Sequence, residues 1–191
     1  LFCVGGKRDN IKKLIINPSL RVARERWWQV YQNRPKMNLQ TKMNNLYNQT
    51  DFNGILKRLD NLQPNAVRQW GKMDVAQMLA HLNAFLETAL NLNPQKRMII
   101  GRILGRFFVR RYVSEKQFSK NGPTGKNYIF TDQQNFEKEK TKAIQLVRQF
   151  YENGPEKCTR LPHPFFGYLT SNEWAIAQWK HFDHHLRQFD A

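Results

Sequence analysis

From residue 51 onward the chain places apolar side chains at intervals of three and four, in long segments closed by proline or glycine. That interval lines one side of an α-helix and is foreign to the period-two alternation of a half-buried strand. Phe52, Ile55, Leu56 and Leu59 form the first stripe, over residues 51–62, and Pro64 ends it. Asp74-x-x-Gln77 reads as a capping box, in which each side chain satisfies a free backbone N–H at a helix start. Val75, Met78, Leu79, Leu82, Phe85, Leu86 and Ala89 carry a second helix to residue 92, where Asn93-Pro94 breaks the chain. A basic amphipathic stretch follows over 97–113, then a loop over 119–125 with Gly122-Pro123 and Gly125. Phe136, Ala143, Ile144, Val147 and Phe150 predict a third long helix over 133–152, stopped by Asn153-Gly154-Pro155. Thr170-x-x-Glu173, a second capping box, opens the last helix, which runs to Phe189. No segment alternates as a strand. The expected fold is all-α: a four-helix bundle with an extra basic helix in its long second connection.

The chain has 191 residues, 40% of them apolar and 13% aromatic, enough for one packed core with some excess. No run approaches the roughly 20 consecutive apolar residues of a membrane span. Cys3 and Cys158 are far apart and neither sits in a Cys-x-x-Cys motif, so no disulfide framework is expected and a reducing, cytoplasmic setting fits. Cys158 ends the loop-like run Gly154-Pro155-Glu156-Lys157 and reads as an ordinary thiol in preference to a nucleophile. A net charge of +16 points toward nucleic acid or an anionic surface. Its distribution weakens that inference, because residues 1–42 hold ten Lys/Arg against two acids. Those residues are expected to be a basic N-terminal extension, poorly ordered or foreign to the native protein, with the domain over residues 43–191. Their own helical candidate, 20–31, is closed by Asn33-Arg34-Pro35.

Three of the five histidines fall in His181-Phe182-Asp183-His184-His185, within the last predicted helix. At about 100° per residue, with Trp174 as zero, Ala177, His181, His185 and Gln188 lie within roughly 60° of it. Lys180, Asp183 and Arg187 gather on the other side, and His184 lies at the border. Histidines at i and i+4 have Cβ atoms on the order of 6 Å apart, so their rings can converge on one ion. Burying the pair without partners is costly, because each ring carries a donor and an acceptor. By themselves they are a weak signal, and a hydrogen-bonded core pair or a half-exposed one is favoured over a metal site. His81 lies on the flank of the second helix's apolar arc beside Phe85 and Thr88, where a facing helix can meet it.

Further motifs point the same way. Trp70-Gly71-Lys72-Met73, Gln77-Met78-Leu79-Ala80-His81-Leu82, His163-Pro164-Phe165-Phe166-Gly167, Trp174, and the run from His181 through Gln188 to Phe189 together resemble the DinB-like superfamily. More narrowly, they resemble a branch of it known mainly as a domain of unknown function. The resemblance implies an up-down-down-up bundle and a divalent metal, zinc or nickel, held by three histidines. Those match His81, His181 and His185, the last two being the pair that helical phase selects. Better-studied relatives include thiol-dependent transferases and isomerases, which implies a metal-dependent transferase or hydrolase acting on a small molecule or thiol. The His-Pro-Phe-Phe-Gly segment departs from those relatives.

Several readings stay open. His163, extended before Pro164, is either a fourth ligand or proton shuttle, or part of a plug in which Phe165 and Phe166 cover the bundle end. Gln188 either orients a ligand or packs, and His184 is a further pocket candidate. No catalytic residue is assigned: Asp183 falls on the wrong face and Glu87 projects away from His81. The competing function is a non-enzymatic basic protein that binds nucleic acid or an anionic surface, or a catalytically silent bundle. Nucleic acid is disfavoured as a partner, and the basic helix is expected to pack its apolar face on the bundle with its arginines in solvent. Bundles of this kind often pair, so a homodimer is open as well.

Overall fold

The computed structural model describes residues 43–191. The expectations for residues 1–42, an extension and a helix over 20–31, lie outside the described residues. Five helices follow in order: α1 (Gln49–Asn61), α2 (Val75–Ala89), α3 (Ile99–Tyr112), α4 (Phe136–Asn153) and α5 (Ser171–Gln188). Two single 3-10 turns, Lys126–Tyr128 and Pro155–Lys157, punctuate the connections. No strand forms among the described residues; His163 and Gly167 make one isolated antiparallel bridge.

Local chemistry sets the helix starts. Asn48 accepts a hydrogen bond from the Asp51 N–H at 3.2 Å and starts α1 two residues before the expected position. Both capping boxes form, at Asp74/Gln77 and at Thr170/Glu173. The third long helix starts at Phe136 instead of 133, because the Asn135 side chain takes the Lys138 N–H at 2.9 Å. Its end is the Gly154 turn, where φ of +61° suits glycine.

Four of these helices close a ring of contacts. α2 packs most extensively on α4, α1 touches α4 and α5, and α5 returns to α2. The shared interior holds Ile55 and Leu59 from α1, Met78, Leu82 and Leu86 from α2, Val147 and Phe150 from α4, and Trp174, Phe182 and Leu186 from α5. Each such side chain contributes about 1.5–3 kcal/mol by leaving water. α2 and α5 are buried around most of their circumference, polar positions included. Their histidines therefore enter the core with them.

α3 behaves differently from expectation. It buries only Gly101, Gly105 and Val109, while Ile99, Ile103 and Phe107 are exposed along with the arginines. The apolar face expected to lie on the bundle faces outward. The reason is the turn at residues 163–167, which occupies the space against α3. Met98 N–H donates to the Pro164 carbonyl at 2.9 Å, and Arg97 donates to the His163 carbonyl at 3.0 Å. A Cβ on Gly101 would lie 2.5 Å from the Phe165 oxygen, and one on Gly105 would lie 1.9 Å from it. Only a glycine-lined face lets the helix approach that backbone.

This contrast is testable with two alanine substitutions. Gly54→Ala, in exposed mid-helix with nothing within 4 Å, should stabilise by up to about 1 kcal/mol through helix propensity. Gly105→Ala should instead destabilise by about 1–3 kcal/mol, because steric conflict outweighs the same propensity gain. Urea denaturation of both variants checks the sign; a stabilised Gly105→Ala would show that α3 is not held against the turn.

Candidate metal centre

His81 stands on α2, and His181 and His185 lie one turn apart on α5. Packing of α2 on α5 brings the three rings into a nearly equilateral triangle, with centroids 4.7, 4.8 and 4.8 Å apart. One ligand nitrogen from each ring lies within 4.8 Å of the other two, and all three residues are buried. Among the described residues this is the group of side chains able to hold a metal ion.

The outer nitrogens fix which atoms face inward. His81 Nδ1 lies 2.7 Å from the Tyr128 carbonyl, an acceptor only, so that nitrogen carries the proton. Gln188 Nε2 donates to the Trp70 carbonyl at 2.6 Å, which turns Gln188 Oε1 toward His185 Nδ1 at 2.8 Å. His185 Nδ1 is therefore a donor as well. Both rings are left with a bare Nε2 lone pair. The Gly71 turn, at φ +82°, makes room for this relay, since a Cβ there would meet Gln188 Nε2 at 2.6 Å. His181 is held less completely. Its Nε2 is 2.8 Å from His81 Nε2, and its Nδ1 is buried without a hydrogen-bond partner. An unpaired buried polar nitrogen costs about 1–3 kcal/mol, so the protein alone does not satisfy this cluster.

Burial keeps the cluster uncharged. It is the leading cause that lowers the pKa of His81, takes His181 well below the ordinary range and lowers His185 to about 3. Mutual repulsion between the rings adds to the effect at His181 and His185. Neutral imidazoles are the form that ligates a cation.

All five histidines and Gln188 line one cavity of about 930 Å³, whose other walls include Trp70, Phe85 and Phe118. His184 sits beside the triangle, not in it: its ring lies 4.9 Å from His185, 5.5 Å from Trp70 and 6.0 Å from Phe118. His163 is also outside the group. Its Nδ1 accepts the backbone N–H groups of Phe165 and Phe166 at 3.0 and 3.1 Å, which organises the turn. Phe85 contacts both His163 and His181, with centroids 5.5 and 4.5 Å away.

Among the described residues no carboxylate lines the cavity. Asp183 is paired with Arg58 and Arg187 at 2.8 and 2.9 Å, and Glu87 with Lys142 at 2.8 Å. Cys158 lies in a loop and is buried, and burial pushes it up to about 11, which disfavours the thiolate a nucleophile needs. Three participants escaped the sequence reading. The Tyr128 and Trp70 carbonyls are backbone atoms without a sequence signature. Lys180, placed on the solvent side by helical phase, is buried; its ammonium donates to the Tyr112 and Lys116 carbonyls at 2.8 and 3.0 Å and caps α3. Burial lowers it to about 8.

The described residues are thus all-helical, with a buried group of three histidines able to hold a metal ion. The chain belongs to the family described as protein of unknown function (DUF1569), whose model matches residues 41–191. No curated protein and no solved structure matches it.

Neutral burial predicts a definite response to acid. The folded-state pKa values lie below the ordinary 6.5, so the unfolded chain binds more protons between that value and about 3. Stability is full above 6.5 and falls as the pH drops. The urea midpoint of chelator-treated protein should therefore decrease from pH 7 to pH 5, above the range where carboxylates titrate. A constant or rising midpoint would contradict burial of neutral rings.

Proposed function

We propose that the protein binds one divalent metal ion, zinc or nickel, through His81, His181 and His185. The observation that carries this reading is the triangle of buried rings, two of them with Nδ1–H tied to an acceptor and Nε2 bare. Such outer hydrogen bonds orient imidazole ligands and raise their basicity. The donor set suits either metal, since imidazole is a good ligand for both. With three neutral ligands the full double positive charge is retained, and fewer than four protein donors leaves room for an exogenous one. When bound, such an ion supplies Lewis acidity, favouring the deprotonated form of a water or small thiol that reaches it.

The remaining residues bind and orient. The apolar walls at Phe85 and Phe118 exclude bulk water and strengthen electrostatic interactions inside the cavity. His184, held neutral chiefly by burial, offers a ring nitrogen to a ligand entering past Trp70. This supports a metal-dependent transferase or hydrolase acting on a small molecule, with thiol chemistry resting on the resemblance alone. On the same reading, the ring of α1, α2, α4 and α5 is a DinB-like bundle of up-down-down-up topology. The long second connection then carries α3, and the domain occupies residues 43–191.

Elemental analysis of protein purified without a histidine tag should find one zinc or nickel per chain. His181→Ala and His185→Ala should each lose it. Gln188→Ala, which keeps all three ligands but removes the acceptor for His185 Nδ1–H, should weaken affinity by roughly 10–100-fold. Added metal at about 100 times its Kd should stabilise the wild type by about 2.7 kcal/mol. Full metal content in His181→Ala would refute the assignment.

A further inference from the structure

Ile100, Phe108 and Arg111 of α3 line the histidine cavity, whereas Ile99, Ile103, Leu104 and Phe107 on its outward face do not. Ile99, Ile103 and Phe107 are 80, 68 and 78% exposed, and Ile100 and Phe108 beside them are 54 and 48% exposed. At about 100° per residue these five and Leu104 fill one continuous half of the helix circumference. Arg102 and Arg106 border one edge of that half, and Arg110 and Arg111 lie within it toward the C-terminal end. Residues 88–114 contain Lys96, Arg97 and these four arginines, and no Asp or Glu.

The helix cannot roll to hide this face. Gly101 and Gly105 are seated on the Phe165 backbone, where any side chain would collide. Arg97 ties its start to the His163 carbonyl, and Lys180 holds its last residue through the Tyr112 carbonyl. The apolar half is therefore presented outward by a fixed scaffold.

We propose that α3 is an interfacial helix that docks the protein onto an anionic lipid bilayer. A helix with an apolar face of Ile, Leu and Phe and an arginine border lies in the headgroup region with its apolar side about 5–10 Å deep. The arginines meet the negative surface potential of anionic lipid. At 14 residues α3 lies on such a surface, and no described helix is long and apolar enough to cross it. Charge selects this occupant over the alternatives. Pairing of two α3 helices in a dimer would bring together segments that are both basic and free of acids, a repulsive arrangement. Nucleic acid would use the arginines and leave the isoleucines and phenylalanines without apolar contact.

The proposal does not depend on metal, so the test uses the full chain with chelator and with metal. Flotation with vesicles of phosphatidylcholine and about one-third phosphatidylserine should carry the wild type upward, and pure phosphatidylcholine should carry far less. Ile103→Asp/Phe107→Asp changes only solvent-facing positions and should keep its helical circular dichroism while binding at least about tenfold more weakly. Arg102→Gln, which leaves the apolar face intact, should weaken binding roughly fivefold. Equal binding by wild type and the Ile103/Phe107 variant would assign any attraction to other basic residues and overturn the proposal. So would absence of binding to the phosphatidylserine vesicles, or a preference for duplex DNA over them. A wild-type dimer in sedimentation that the double variant converts to monomer would also overturn it, by assigning the face to a second copy.

Discussion

Burial of three imidazoles at one point is the constraint around which the rest is arranged. Each ring brings two polar nitrogens into the interior, and each nitrogen needs a partner or costs stability. The Tyr128 carbonyl meets one requirement and the Gln188–Trp70 relay another, so the 3-10 turn and the Trp70-Gly71 turn are parts of the site, not mere connections. Of the nitrogens that point inward, His81 Nε2 and His181 Nε2 have only each other. A cation resolves that conflict, because it accepts several lone pairs at once.

The turn at 163–167 links this interior to the surface. On its inner side the His163 ring lies against Phe85 and Trp174 and uses Nδ1 to hold two backbone N–H groups. On its outer side the same backbone receives Gly101 and Gly105. One short segment therefore closes the cavity wall and dictates which way α3 faces. Had Gly101 and Gly105 been bulky, α3 could not occupy this place, and its isoleucines and phenylalanines would be free to seek cover elsewhere.

Much of the architecture was legible before any coordinates. Periodicity located all five helices within a few residues, because the 3.6-residue repeat and the Pro and Gly breaks are local properties. Where a boundary shifted, a local side chain did it, as Asn135 does at Phe136. The phase of α5 placed His181 and His185 together on the buried face, and the structure puts them there with His81 across from them. Lys180 shows where phase alone fails. It sits on the polar side of the helix wheel, yet the carbonyls of Tyr112, Ser114 and Lys116, at and just past the end of α3, lie over it, and a lysine with three acceptors is buried without loss of its hydrogen bonds.

The orientation of α3 could not be read in this way. Its apolar stripe resembles those of α1 and α4, and an isolated stripe does not say whether a neighbour will cover it. By itself, then, the sequence determined helices, caps, breaks and the pairing of two histidines one turn apart, all set by interactions within about four residues. Only tertiary structure decided that His81 meets that pair, that two carbonyls and one glutamine fix the ring tautomers, and that α3 turns its glycines inward. Those outcomes depend on contacts between segments distant in sequence, where space already taken by one segment decides what the next can bury.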